Sequence, residues 1–217
     1  MTAPLLLVDL DDTLVDRSAA FRAWAHDFAT EHGRPADASW LVESDQRGLR
    51  RRPELAATIG QRFGLGQAEV DGLVQTLRRG LVERMTLAAR TADALRSVRA
   101  AGWPVVIVTN GTEAQQTAKL NHLGLDRLVD GWVISEAVGT RKPDPEIFAL
   151  AAARVGMPLD GGWMVGDSTA ADIAGGAAVG LSTVWLRCGR SWTEPGFAPS
   201  IEVDTFAEAV RHLLGPG

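Results

Sequence analysis

With 217 residues, 46 % apolar and 23 % charged, the chain has the make-up of a globular fold and can bury about 70 % of its unfolded surface without disulfides. A net charge of −5 and the lack of a long basic run set aside nucleic acid and anionic lipid as partners, and no apolar run nears the roughly 20 residues that span a bilayer. The single cysteine, Cys188, excludes an intramolecular disulfide and suits a reducing compartment. With no leader-like N-terminus, a cytoplasmic location is expected.

The first predicted strand, Leu5–Val8, runs directly into Asp9, Asp11 and Asp12, followed by Thr13. Ionised carboxylates repel one another and are costly to take out of water, so this run anticipates a positive charge. Residues from about Asp16 to Val82 then read as helical throughout. Phe21, Trp24 and Phe28 share one helical face, as do Leu73, Leu77 and Leu81. Gly33-Arg34-Pro35, Arg52-Pro53 and Gly64-Leu65-Gly66 punctuate the segment. Gly64-Leu65-Gly66 starts like a dinucleotide fingerprint but has no third glycine, so it reads as a turn. The cluster Arg47, Arg50, Arg51 and Arg52 reads either as a solvated helix face or as a contact for an anionic substrate group.

More than 90 residues separate the first and second strands, too many for one crossover helix. The expected organisation is therefore a core of residues 1–15 and 83–217 and an inserted domain of about four helices, 16–82, packed over the end of the sheet. The second strand, Val105–Val108, leads into Thr109, Asn110 and Gly111, and a helix is predicted over Glu113–Leu123. The third, Trp132–Ile134, is followed by Lys142 and a helix over Pro145–Val155. The fourth, Trp163–Val165, is followed by Asp167, Ser168 and Asp172, the last within a predicted helix, Ala170–Ala178. A fifth strand, Thr183–Leu186, a Gly/Pro-rich loop over Gly189–Pro199 and a helix over Phe206–Leu214 complete the chain, with a further helix at Ala92–Ala101 before the second strand.

Strands alternating with helices, rich in Val, Ile and Leu without polar alternation, predict an α/β fold: a Rossmann-like parallel sheet with helices on both faces and an inserted all-helical cap. In such sheets ligands bind beyond the carboxyl ends of the strands, where strand order reverses. Four strand ends here carry carboxylates, a hydroxyl with backbone amides, and an ammonium. Oxygen ligands without Cys or spaced His favour Mg²⁺ over zinc; the histidines (His26, His32, His122, His212) are scattered. Lys142 and the donors of Thr109–Gly111 suit an anion, and a phosphate would bridge them to the metal. Asp9 and Asp11, two apart on an extended backbone, face the same way. One can attack phosphorus while its neighbour handles protons.

This four-part pattern resembles the haloacid dehalogenase-like (HAD) hydrolase superfamily, in its phosphatase branch with a small helical cap after the first motif. The matching residues are Asp9-x-Asp11-x-Thr13, Thr109 after the second strand, Lys142 in Gly-x-x-Lys-Pro-x-Pro, and Gly166-Asp167-Ser168 with Asp172. The resemblance implies Asp9 as nucleophile and Asp11 as general acid and base. It implies Mg²⁺ held by the Asp9 and Asp167 carboxylates and the Asp11 backbone carbonyl, with Asp172 orienting Lys142 or reaching the metal through water. Thr109, Asn110 and Gly111 would bind phosphate oxygens, and Lys142 would neutralise the nucleophile and the phosphate. Asp12 stands where many members have Gly and is expected to shape the turn; Ser168 reads equally as a helix cap. The cap is expected to open and close on hinges near Leu14–Arg17 and Val82–Leu87.

The expected activity is Mg²⁺-dependent hydrolysis of a small phosphorylated metabolite. Three alternatives stay open: a phosphoryl-transferring mutase, a dehalogenase, and a non-catalytic phosphate-binding regulatory module. Asp11 argues against the dehalogenase, a branch that typically lacks that carboxylate and the metal. Nothing in the sequence specifies an oligomeric state.

Overall fold

The computed structural model describes residues 3–215, so the ends of the expected core, residues 1–2 and 216–217, lie outside the described residues. In chain order the elements are β1 (Leu6–Val8), α1 (Arg17–Glu31), α2 (Ala38–Asp45), α3 (Arg52–Phe63), α4 (Gln67–Glu83), α5 (Ala89–Ala100), β2 (Val105–Thr109), α6 (Glu113–His122), β3 (Gly131–Ile134), α7 (Ser135–Val138), α8 (Pro145–Arg154), β4 (Trp163–Gly166), a π-helical turn (Thr169–Ala174), α9 (Gly175–Ala178), β5 (Ser182–Leu186), β6 (Ile201–Val203) and α10 (Phe206–Leu214). They form two compact units. One is helical, Asp16–Met85, and the other is an α/β unit made of the remainder. No described helix is long and apolar enough to cross a membrane.

The α/β unit is built on a six-stranded sheet in the order β3-β2-β1-β4-β5-β6. Every strand pair is parallel. The chain steps outward from β1 to β2 and β3, then returns beside β1 for β4 and continues to β5 and β6. Strand order therefore reverses at β1, between β2 and β4. Leu5 and Leu7 pack with Val106, Val108 and Met164 beneath Ile147 and Phe148 of α8. Leu6 and Val8 alternate to the opposite face and are just as fully buried. Both faces are covered, which is why these strands read as unbroken apolar runs.

The single turn α7 was not anticipated, and two further elements depart from the sequence reading. β6 was not anticipated: of its three residues only Val203 is buried, and it lies at the sheet edge beside β5. An edge strand buried on so little of its surface leaves no apolar run to detect. The helix expected over Ala170–Ala178 is instead the π-helical turn followed by the single turn of α9. Its start is capped by Ser168, whose Oγ accepts from the Ala171 N–H at 3.1 Å.

The helical unit holds its four helices around an aromatic ladder. Ring centroids lie 5.4 Å apart for Phe21 and Trp24, 4.9 Å for Trp24 and Phe28, and 5.1 Å for Phe28 and Phe63. Leu73, Leu77 and Leu81 of α4 are buried. Asp16 caps α1, its Oδ1 accepting from Ala19 N–H at 2.6 Å. At the end of α4 the unit runs to Met85, beyond the expected boundary at Val82.

The arginine cluster does not act as one face. Arg52 donates to buried Asp45 Oδ1 at 2.6 Å, and Arg17 reaches the same carboxylate with both terminal nitrogens, Nη2 at 2.8 Å. The Gly48 N–H adds a further bond at 2.9 Å. Arg51 is exposed, with Glu54 at 3.9 Å, and Arg47 sits in a left-handed turn beside Gln46. Burial alone would raise the Asp45 carboxyl, but Arg17 and Arg52 outweigh it and hold it below the usual carboxylate range.

Replacing one member of a buried ion network leaves its partners uncompensated. Asp45→Asn is expected to lower unfolding free energy by about 3 kcal/mol in urea titrations at pH 7. Because the folded carboxyl is depressed, its stabilisation is present above the unfolded value near 4 and fades as pH falls through the folded one. The gap between wild type and variant should therefore narrow on acidification below about pH 4.

Candidate active site

The reversal point gathers the strand ends that carry chemistry. Asp9 follows β1 directly, and its N–H continues the ladder to the Val165 carbonyl at 2.9 Å. Asp167 follows β4, and Thr109 ends β2. Asp9, Asp167 and Asp172 each bring a carboxylate oxygen within 4.8 Å of the others. Lys142 enters from the segment after β3. Its Nζ donates to Asp9 Oδ1 at 2.6 Å and to the Val108 carbonyl at 2.6 Å, and lies 2.7 Å from Asp172 Oδ1.

Local structure fixes each of these groups. The π-helical turn brings Asp172 back toward β4, where the Ser168 N–H donates to its Oδ2 at 2.9 Å. A β-carbon at Gly166 would lie 2.3 Å from Asp172 Cγ and Oδ2, so only glycine leaves room for that carboxylate. Lys142 is anchored by its backbone. The Lys142 N–H donates to Asn110 Oδ1, and Asn110 Nδ2 donates to the Lys142 carbonyl, both at 2.9 Å. Asp12 has φ 58° and its N–H donates to the Val15 carbonyl at 2.7 Å, which folds the chain back after Asp11.

The charges decide what the site can hold. Burial pushes the Asp9 carboxyl well above the usual carboxylate range; Lys142 opposes this, and Asp172 and Asp167 add to it. Burial alone would lower the Lys142 ammonium, but Asp172 and Asp9 reverse that and hold it above the ordinary lysine range. One ammonium meets three buried or half-buried carboxylates here, and Arg190 Nη2 lies 3.0 Å from Asp167 Oδ2. An all-oxygen meeting point fits a hard divalent cation such as Mg²⁺.

The structure brings together Asp9, Lys142, Asp167 and Asp172 and treats the other expected residues differently. The Asp11 carboxylate turns to α6, accepting from Lys119 Nζ at 2.5 Å and Gln116 Nε2 at 3.2 Å. Its side chain is thus outside the three-carboxylate group. The Thr109 hydroxyl is buried and accepts from Gln116 Nε2 at 2.5 Å. The Asn110 side chain spends both polar atoms on the Lys142 backbone, and the Gly111 N–H donates to Ser135 Oγ at 3.0 Å.

Three neighbours of the site escaped the sequence reading: Gln116, Lys119 and Arg190. Gln116 and Lys119 lie three apart and in phase with buried Leu120, so polar residues on the inward face of α6 were the available signal. Arg190 follows β5, a fifth strand end on the same carboxyl edge of the sheet.

The model of the haloacid dehalogenase-like hydrolases matches residues 4–180. The pyrimidine 5'-nucleotidase YjjG of Escherichia coli is 40 % identical over 108 residues, covering 49 % of this chain and 48 % of that protein. The ribulose-1,5-bisphosphate 5-phosphatase of Halopiger xanaduensis is 41 % identical over 130 residues, covering 60 % of this chain and 50 % of that protein. This chain spans about half the length of these two curated relatives. Among solved structures, the HAD-hydrolase YfnB of Bacillus subtilis, bound to magnesium, superposes with a TM-score of 0.76 at 26 % identity, covering all of both chains.

A ligand that binds only the folded state stabilises it. Millimolar Mg²⁺ is expected to raise the melting temperature of the wild type by a few degrees, by differential scanning fluorimetry. Asp167→Asn should remove most of that increment while keeping the metal-free value close to wild type.

Proposed function

The chain belongs to the haloacid dehalogenase-like hydrolases, and from there we propose that it hydrolyses small phosphomonoesters with the phosphoryl group carried transiently on Asp9. The observation that carries this reading is the buried Lys142 ammonium shared by Asp9 and Asp172 at the edge of the three-carboxylate group. A carboxylate with such a partner is oriented for attack on an anionic phosphorus centre, which needs its own charge offset. Two curated relatives, a nucleotidase and a sugar bisphosphate phosphatase by name, support phosphate esters as the substrate class.

In the first step an Asp9 carboxylate oxygen bonds to phosphorus as the ester P–O bond breaks. Asp11 gives its proton to the departing alkoxide. In the second, water attacks the phosphorus of the aspartyl-phosphate and yields a proton to Asp11. The Asp9–phosphorus link breaks, phosphate leaves, and Asp9 is regenerated. Lys142 offsets charge on the nucleophile and the phosphoryl oxygens, and Thr109 offers its hydroxyl to them. Mg²⁺, held by Asp9 and Asp167 with the Asp11 carbonyl and with Asp172 nearby, would supply further charge neutralisation on the phosphoryl group. We assign the helical unit, 16–85, the role of the cap that selects the substrate. The single exposed cysteine, Cys188, is a thiol and suits a cytoplasmic setting.

The test is release of inorganic phosphate from a panel of nucleotide, sugar and short-chain acid phosphates. Activity is expected with Mg²⁺ and not with EDTA. Asp9→Asn should lower kcat by about 10³-fold or more with an unchanged circular dichroism spectrum. Equal rates with Mg²⁺ and EDTA would overturn the metal-dependent reading.

A further inference from the structure

Helix α6 carries two polar side chains that its surroundings bury almost completely. Gln116 is 2 % and Lys119 3 % exposed. A lysine ammonium in such a place needs a specific partner, because desolvation otherwise favours its neutral form. Both side chains meet the same atom. Lys119 Nζ lies 2.5 Å and Gln116 Nε2 3.2 Å from Asp11 Oδ2, and Gln116 Nε2 also lies 2.5 Å from Thr109 Oγ1. The loop before the helix accommodates this. A β-carbon at Gly111 would lie 2.9 Å from Cγ and Cδ of Gln116, so any larger residue there would press on the glutamine.

We propose that Lys119 is a positioning residue for Asp11, and that Gln116 ties the orientation of Asp11 to that of Thr109. The proposal rests on the phosphatase reading above. A carboxylate next to flexible backbone has several rotamers, and a group that hands over a proton must lie within about 2.6–3.2 Å of its acceptor. A bond from a buried ammonium to Oδ2 selects one rotamer and leaves the proton to be carried on Oδ1. The amide of Gln116 then sets that rotamer against the hydroxyl that meets the phosphoryl group. Lys119 and Lys142 so divide the site: one ammonium orients the nucleophile, the other the proton donor. Lys119 itself need not touch the substrate.

Leaving-group dependence separates this role from a merely structural one. Departure of an alkyl alkoxide requires the proton of Asp11, whereas the nitrophenolate of p-nitrophenyl phosphate leaves without it. The constant kcat/KM reports events up to leaving-group departure, so the later service of Asp11 to water does not blur the comparison. Lys119→Met keeps the length and removes the charge. It is expected to lower kcat/KM about 10²-fold for the alkyl phosphate that the wild type cleaves fastest, and by less than about threefold for p-nitrophenyl phosphate. Lys119→Arg should recover the alkyl ester to within about tenfold of wild type. Gln116→Leu, which keeps Lys119 and nearly the same volume, releases both Thr109 and Asp11, so it should lower kcat/KM on both esters and further on the alkyl one; that excess decides the matter if Lys119→Met fails to fold. An equal loss on both esters, or none on either, overturns the positioning role. A wild type that cleaves neither ester overturns the phosphatase reading, and this proposal with it.

Discussion

The α/β unit is organised around one enclosed ammonium. Lys142 Nζ has three oxygen neighbours, from Asp9, Asp172 and the Val108 carbonyl, all within 2.7 Å. An isolated charge taken from water loses several kcal/mol of solvation, so neither the lysine nor the carboxylates would be tolerable at this depth alone. Together they are, and the arrangement dictates much around it. Asn110 must hold the Lys142 backbone, Gly166 must lack a side chain, and the turn after β4 must be wound as a π-helix for Asp172 to arrive.

The helical unit solves a related problem with the opposite sign. There a single carboxylate, Asp45, satisfies two guanidiniums and a backbone N–H. Its ion network ties α1 to the turn that joins α2 to α3. The network at the strand ends gathers three carboxylates beside one ammonium. That difference explains why one network reads as architecture and the other as a place for a cation and an anion. It also explains why two buried ion clusters in one chain need not imply two sites.

Much of this was legible beforehand, for definable reasons. A strand buried on both faces must be apolar along its length, so β1, β2, β4 and β5 announced themselves. The groups at the strand ends were equally visible, since a parallel sheet directs its loops to one edge. β6 was invisible because an edge strand buried at a single residue has no pattern to show. The bond from the Gly111 N–H to Ser135 was not legible, because composition reports that a donor exists and says nothing of where it is already used. The arginine cluster dispersed for the same reason: neighbours in sequence, Arg51 and Arg52 face solvent and a buried carboxylate respectively.

Residue order alone sets the alternation of strands and helices, the helical insertion, and the identity of the carboxylates and the lysine at the sheet's carboxyl edge. These follow from periodicity and from short-range chain geometry, which depend on residues close together. Which charges meet is settled by the fold. Lys142 lies 133 positions from Asp9, and Lys119 lies 108 from Asp11. Contacts across such intervals are fixed by strand order and by the depth at which each side chain is buried. The balance of desolvation against pairing that selects them acts in three dimensions, and local sequence does not encode it.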